Sequence, residues 1–302
     1  MITSAIRHGT VVGDYGQHCD VLTSDGAMVR CTVRRRAGEV VCGDAVGVEP
    51  TDAGAGIIVE RAPRTSLLQR PDSRGRLKSI AANVDQMVIV IPPRIDADAN
   101  ELLDLFALDR YVAAGECAHV TPCIVINKCD LVPATATAAL QHIVDVYAAL
   151  GYPVIRTSCR EGIGIEILRE QLRNRTNVLV GPSGAGKSSL VGTLLPGVDA
   201  RVGEVSASSG QGRHTTTWTR VYALPSGGNL MDSPGIREFG LWQTAPREVA
   251  AGFREFHTLH ERCRFLDCAH LTEPGCAVRA AAQSGVIAAW RYDHFRRLAR
   301  TG

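Results

Sequence analysis

The stretch Gly181-Pro182-Ser183-Gly184-Ala185-Gly186-Lys187-Ser188 leaves its chain little freedom in how to fold. It fits the G-x-x-x-x-G-K-[ST] spacing of a phosphate-cradling loop, which works only where a buried strand feeds the start of a helix. Both flanks meet that demand: Asn177-Val180 is apolar and strand-like, and Gly186 to Leu195 reads as a helix. Gly181, Gly184 and Gly186 let backbone N–H groups approach phosphate oxygens with no Cβ in the way, and the helix N-terminus adds a favourable dipole. Lys187 is suited to neutralising β- and γ-phosphate charge and Ser188 to ligating Mg²⁺. Pro182, Ser183, Ala185 and Ser189 complete the expected nucleotide-binding turn.

Two further segments supply the rest of a guanine-nucleotide site, in an unusual order. Asn127-Lys128-Cys129-Asp130 precedes the phosphate loop and follows the apolar strand Cys123-Ile126, at the carboxyl edge where α/β sheets bind ligands. The Asp130 carboxylate can accept hydrogen bonds from N1–H and the exocyclic amine of guanine. Adenine lacks both donors and would leave that carboxylate desolvated and unpaired. Thr157-Ser158-Cys159, ending the next strand, is placed to act as a base-side loop, with Thr157 and Ser158 as nucleotide contacts. Asp232-Ser233-Pro234-Gly235 comes last. Asp232 is positioned to support Mg²⁺ and Gly235 to offer its N–H to the γ-phosphate. In an ordinary GTPase the phosphate loop precedes both other segments, so the order here predicts a circularly permuted GTPase, α/β in class. The threonine that closes on Mg²⁺ and the γ-phosphate is expected within Thr215-Thr216-Thr217; Thr216 is the central candidate, and spacing alone leaves the three open. After Gly235, where Ras-like enzymes carry a water-orienting Gln, stands Ile236, which has no hydrogen-bonding group. His214 is then the nearest residue able to act as a base near neutral pH.

Around this core the chain of 302 residues divides into four expected segments. Residues 1–62 carry five short strand-like runs, with Val29, Cys31 and Val33 alternating with Arg30, Thr32 and Arg34 in the period of a half-buried strand. Five such strands suit an OB-type β-barrel. Residues 63–82 are basic and polar, with Arg64, Arg70, Arg74, Arg76 and Lys78 against Asp72 alone; they read as a linker whose charge also suits phosphate backbones. Residues 83–242 alternate apolar strands with amphipathic helices, the pattern of a parallel sheet. Residues 243–302 read as helical.

Ten cysteines invite a disulfide scaffold, but Cys117, Cys123, Cys129 and Cys159 fall within or beside apolar runs of the central segment, where a reduced Cys acts as a small hydrophobe. Only Cys263, Cys268 and Cys276 cluster, with His270 between them, spaced C-x4-C-x-H-x5-C. That donor set suits a closed, structural, tetrahedral zinc site, with His257 and His260 near enough to replace His270. No apolar run approaches the roughly 18 residues of a membrane span, and Met1 to Thr10 has no signal-peptide core. A cytoplasmic protein with no membrane association is expected.

Together these residues resemble the ribosome small subunit-dependent GTPase A family (RsgA, also called YjeQ). The longest matching pieces are Gly210-Gln211-Gly212-Arg213-His214-Thr215-Thr216-Thr217 and the run from Asp232-Ser233-Pro234-Gly235 through Ile236-Arg237-Glu238-Phe239-Gly240-Leu241-Trp242. The resemblance implies a GTPase that binds the 30S subunit and its 16S rRNA late in assembly, is stimulated by the subunit, and cycles between GTP and GDP as a monomer. It implies a catalytic role for His214, one structural zinc on Cys263, Cys268, His270 and Cys276, and Mg²⁺ with GTP at Ser188, Thr216 and Asp232. From the residues alone a rival stands: an RNA-binding assembly scaffold that uses guanine nucleotide as a stabilising ligand and turns it over little.

Overall fold

Alternating burial in the first sixty residues closes a small barrel. In the computed structural model, which describes residues 6–51, 54–72, 74–94, 101–197, 219–232 and 245–300, the strands are β1 (Arg7–Asp14), β2 (Cys19–Thr23), β3 (Met28–Val33), β4 (Ala45–Pro50) and β5 (Gly56–Arg61). They pair in the order β1-β2-β3-β5-β4, and β4 returns to β1. All contacts are antiparallel except β3 with β5. This is the OB-type barrel expected from the pattern. Closure removes exposed strand edges, and the inward positions Val11, Val21, Cys31, Val48 and Ile58 form its core.

The barrel belongs to the first of two compact units, which also holds residues 169–179 and 191–238. There β11 (Thr176–Val180) runs parallel to β13 (Asn229–Asp232), and β12 (Thr219–Ala223) is antiparallel to both β13 and β1. The same unit corrects one expectation. The segment 63–82, read as a linker, contains an antiparallel hairpin of β6 (Leu67–Pro71) and β7 (Leu77–Ala82). Its buried residues include Leu68 and the whole run Ser79, Ile80, Ala81 and Ala82. A register shift between Leu68 and Gln69 breaks the two-residue period that would have revealed it.

The second unit comprises residues 87–168, 180–190 and 239–302. Its strands β8 (Gln86–Ile91), β9 (Thr121–Asn127) and β10 (Val154–Thr157) lie in the order β10-β9-β8, with β9 and β10 parallel. β8 is buried along its whole length, as a strand covered on both faces must be. The helices are α1 (Leu105–Cys117), α2 (Thr137–Ala149), α3 (Ile165–Leu172), α4 (Lys187–Leu194), α5 (Pro246–Ala251), α6 (Arg254–His260), α7 (Ala277–Gln283) and α8 (Ala289–Leu298). α1 begins at Leu105, where the Asp104 carboxylate caps it by accepting from the Ala107 N–H. Among the described residues no helix is long and apolar enough to cross a membrane.

The C-terminal helices pack on Phe253, Phe256, Val278 and Phe295, with Phe253 stacked on Phe256 and both edge-on to Phe295. A charged cluster is sealed against them. The Arg291 side chain, 1% exposed, grips the Glu255 carboxylate with two bonds of 2.7 and 2.9 Å and also pairs with the fully buried Asp109. The Tyr147 hydroxyl donates to Asp109 at 2.6 Å, and His294 Nδ1 meets the other Asp109 oxygen. Burial disfavours the Arg291 cation, but Asp109 and Glu255 outweigh that and hold its pKa well above the usual value. Helices α1, α2, α6 and α8 thus share one buried ionic and hydrogen-bonded network.

Candidate functional site

β9 ends at Asn127, and the chain turns sharply because Lys128 adopts φ 59°, rare outside glycine. The turn sends both side chains toward the phosphate loop. Asn127 Nδ2 donates to the Ala185 carbonyl at 2.9 Å, and Lys128 Nζ donates to the Gly184 carbonyl at 2.8 Å. Asn127 is itself fixed, its Oδ1 accepting from the Thr157 hydroxyl at 3.0 Å. Within the loop, Lys187 Nζ donates to the carbonyls of Gly181 and Pro182, each at 2.7 Å. Gly186 needs φ 88°, and a Cβ there would stand 2.4 Å from Asn127 Nδ2. Gly181, at φ 139°, would bring a Cβ to 2.1 Å from the Val90 carbonyl.

Beside the braced loop is a pocket of about 290 Å³ lined by Asn127, Lys128, Asp130, Ser158, Gly186 and Ser189, a size suited to one part of a small ligand. Asp130 reaches it from the short 3₁₀ turn Cys129–Leu131. Ser158 is held by its N–H on the Ile163 carbonyl, and its hydroxyl accepts from the Glu161 N–H. Gly164 makes that return possible, since a Cβ at its φ of 68° would fall 2.0 Å from the Arg156 carbonyl. Thr157 is fully buried with its hydroxyl donated to Asn127, so its side chain orients the motif. Leu131 and Arg160 line the pocket and were not singled out from sequence; each directly follows a recognised segment, the one signal available.

In the first unit, Asp232 is the last residue of β13, opposite Arg220 of β12. The strands leading there are tied by Asn177, whose buried amide donates to the carbonyls of Leu172, Arg175 and Asn229 while its oxygen accepts from Gln86. His214, Thr216 and Gly235 lie outside the described residues.

The cysteine–histidine cluster is assembled in the second unit. The ligand atoms of Cys263, Cys268, His270 and Cys276 all lie within 4.8 Å of one another. His270 Nδ1 stands 3.6 Å from Cys263 Sγ and 3.4 Å from Cys276 Sγ. A tetrahedral site with metal–sulfur bonds near 2.3 Å and metal–nitrogen bonds near 2.0 Å has an S–N edge of about 3.5 Å, so these residues fit a metal. The alternatives for the imidazole resolve by position. His260 Nδ1 meets His270 Nε2 at 3.0 Å, behind the ligand, and His257 turns to the Ala251 carbonyl. Burial, with His260 beside it, holds His270 below the usual imidazole range, in the neutral form a ligand needs. Burial also pushes the Cys268 thiol up to about 12, a cost that a bound cation offsets. Glu273 stiffens the ligand loop: burial would raise its pKa, but the backbone N–H groups that it accepts from, among them those of Ala269, Thr272 and Leu271, outweigh this and lower it. A larger cavity of about 400 Å³ lies here, floored by Phe256, Ala250 and Ala251; its apolar floor has nothing of the phosphate cradle.

A guanine-type motif locked by two side chains onto a phosphate loop that follows it in sequence defines a GTPase of circularly permuted class. The family model described as RsgA GTPase matches residues 61–242. The "Small ribosomal subunit biogenesis GTPase RsgA" of Ectopseudomonas mendocina is 45% identical over 294 residues, covering 96% of this chain and 84% of that one. The crystal structure of YjeQ from Thermotoga maritima superposes with a TM-score of 0.80 at 28% identity, covering 98% of each chain. That of YloQ, described as a circularly permuted GTPase, gives 0.77 at 25% identity, with 99% and 96% covered. The chain belongs to the RsgA GTPase family, and it is a GTP hydrolase.

Proposed function

We propose that this GTPase acts in late maturation of the small ribosomal subunit, bound to its 16S rRNA as a cytoplasmic monomer, and that the subunit stimulates its hydrolysis of GTP. The observation that carries the reading is the pair of bonds from Asn127 and Lys128 to the phosphate loop, which make base reader and phosphate cradle one element. Recognition of guanine falls to Asp130, with Ser158 closing the base side. Binding of the β- and γ-phosphates falls to the backbone of Gly181 to Gly186 and to Lys187. Mg²⁺, supplied with the nucleotide, neutralises phosphate charge; Ser188, Asp232 and Thr216 are the residues of this chain suited to hold it. Gly235 senses the γ-phosphate, and His214 takes the proton of the attacking water. Zinc is the metal that best suits the three thiolates and one imidazole of the C-terminal cluster, where it would fix the fold of residues 245–300.

We take the functional division to be a barrel over 1–62, a GTPase domain over 83–242 and a metal-bearing domain over 243–302, with the hairpin following the barrel in sequence. Because the base-reading segments come first, the sensing segment at Asp232–Gly235 runs straight into the metal-bearing region. Loss of γ-phosphate contacts can then reorient that region, so GTP favours subunit binding and hydrolysis favours release. The test is multiple-turnover hydrolysis with and without purified small subunits, together with subunit affinity in a non-hydrolysable GTP analogue and in GDP. Stimulated turnover and tighter binding in the analogue are expected. Unstimulated turnover would leave the scaffold reading, and equal affinities would remove the switch.

A further inference from the structure

The basic residues between Pro63 and Ile80 take no part in the nucleotide site, and the fold gathers most of them on one hairpin. β6 and β7 pair with Arg70 directly opposite Lys78, an arrangement of like charges that weakens a ladder standing alone. Arg74 and Arg76 carry the same sign to the tip. The acid of this segment, Asp72, is committed to the turn. Its carboxylate accepts from the N–H groups of Arg74 and Arg76 and pairs with the Arg76 guanidinium at 3.2 Å. Those backbone bonds, that from Arg76 first, hold its pKa below the usual range.

The root of the hairpin is fixed while its tip stands in solvent. Leu68 and Ala81 are fully buried, the Ala82 N–H donates to the Cys42 carbonyl at 2.9 Å, and the Ser79 hydroxyl donates to Glu39 at 2.7 Å. From Arg74 to Lys78 every residue is exposed, and a Cβ at Gly75 would meet open space. A rigid root holding an exposed row of cations loses little conformational freedom on binding a polyanion. Residues 63–82 contain no Phe, Tyr or Trp, so the side chains that stack on unpaired bases are missing and the surface suits phosphates. The geometry points to this hairpin as a contact for the phosphate backbone of structured RNA. The RNA's identity, that of the small subunit, rests on the function proposed above.

The experiment compares wild type with the double variant Arg74→Gln/Lys78→Gln in the full chain, leaving Arg76 in place because it holds the turn. Binding to purified small subunits with a non-hydrolysable GTP analogue is measured across a salt series, beside subunit-free GTP hydrolysis. Loss of two phosphate contacts should weaken binding about tenfold and flatten the log–log salt dependence by about 1.5 to 2, with subunit-free hydrolysis unchanged. Unchanged affinity and slope would overturn the inference, as would weaker binding at an unchanged slope, the mark of a protein contact. If wild type failed to bind subunits, the proposed function would fall by itself. The hairpin would then be judged on an RNA duplex of about 16 base pairs: a flatter slope in the variant supports it, and equal slopes, or no binding by wild type, refute it.

Discussion

Asn127 donates its side-chain amide to the carbonyl of Ala185 at 2.9 Å although 58 residues separate them. With the Thr157 hydroxyl on its other side, this one amide joins the end of β9, the end of β10 and the phosphate loop. These segments stand in permuted order along the chain and still meet through hydrogen bonds, because hydrogen bonding depends on position in space and not on connectivity.

Gly186→Ala should damage nucleotide binding more than a one-carbon change suggests. The new Cβ would collide with Asn127 Nδ2, and φ 88° is strained for alanine. Asn127→Ala should act in the same direction by leaving the buried Thr157 hydroxyl and the Ala185 carbonyl unpaired, at about 1–3 kcal/mol, or roughly 5- to 150-fold in affinity. Titration with a fluorescent GDP analogue reads both; wild-type affinity in both variants would refute the bracing role.

His214→Ala should lower subunit-stimulated turnover by about 10²- to 10⁴-fold, the usual worth of a positioned base, while GTP affinity stays unchanged. Lys187→Ala should do the reverse and weaken nucleotide binding itself. Paired measurements of affinity and stimulated turnover separate the two roles, and full turnover in the His214 variant would clear it of catalysis.

His260→Ala should weaken metal retention without removing a ligand, because His270 Nε2 loses the partner that orients the ring. Losses of about 10- to 100-fold are typical of such outer partners, and chelator competition measures them. The same assay should show apparent affinity rising with pH. The Cys268 thiol, pushed by burial to about 12, is protonated below that pH without metal, so binding must displace its proton and acid favours release. Complete chelation should unfold the C-terminal helices, seen as lost helical circular dichroism.

Arg291→Ala should be among the most destabilising single changes in the chain. It leaves Asp109 and Glu255 buried without their cation, at about 3–5 kcal/mol, or roughly 10 °C in melting temperature. Arg173→Ala is the control: its pair with Glu170 is exposed on both sides, and the expected change is under about 1 kcal/mol. Similar melting temperatures for the two variants would show that the buried network contributes no more than a surface pair.

Local chemistry was legible wherever a motif carries its own geometry. The phosphate loop, the Asn127 to Asp130 turn and the Cys263 to Cys276 spacing each specify a backbone shape within a few residues. The barrel was legible because alternation in runs such as Val29 to Val33 reports a face directly. The hairpin was not, since its bulge at Leu68/Gln69 broke the period and its buried run Ser79 to Ala82 does not alternate. Nor was the role of Thr157, because a hydroxyl at a strand end gives no sign of which way it turns.

The amino-acid order alone determined the class of ligand, the permutation and the cysteine cluster, because each rests on donor types at short, fixed spacing. Only the tertiary structure chose His270 over its two neighbours, turned Thr157 inward to Asn127, and placed Asp109 against Arg291, 182 residues away. Those choices come from packing. Where distant segments share a buried space, desolvation forces each polar group to find a partner, and no local pattern announces which one it will be.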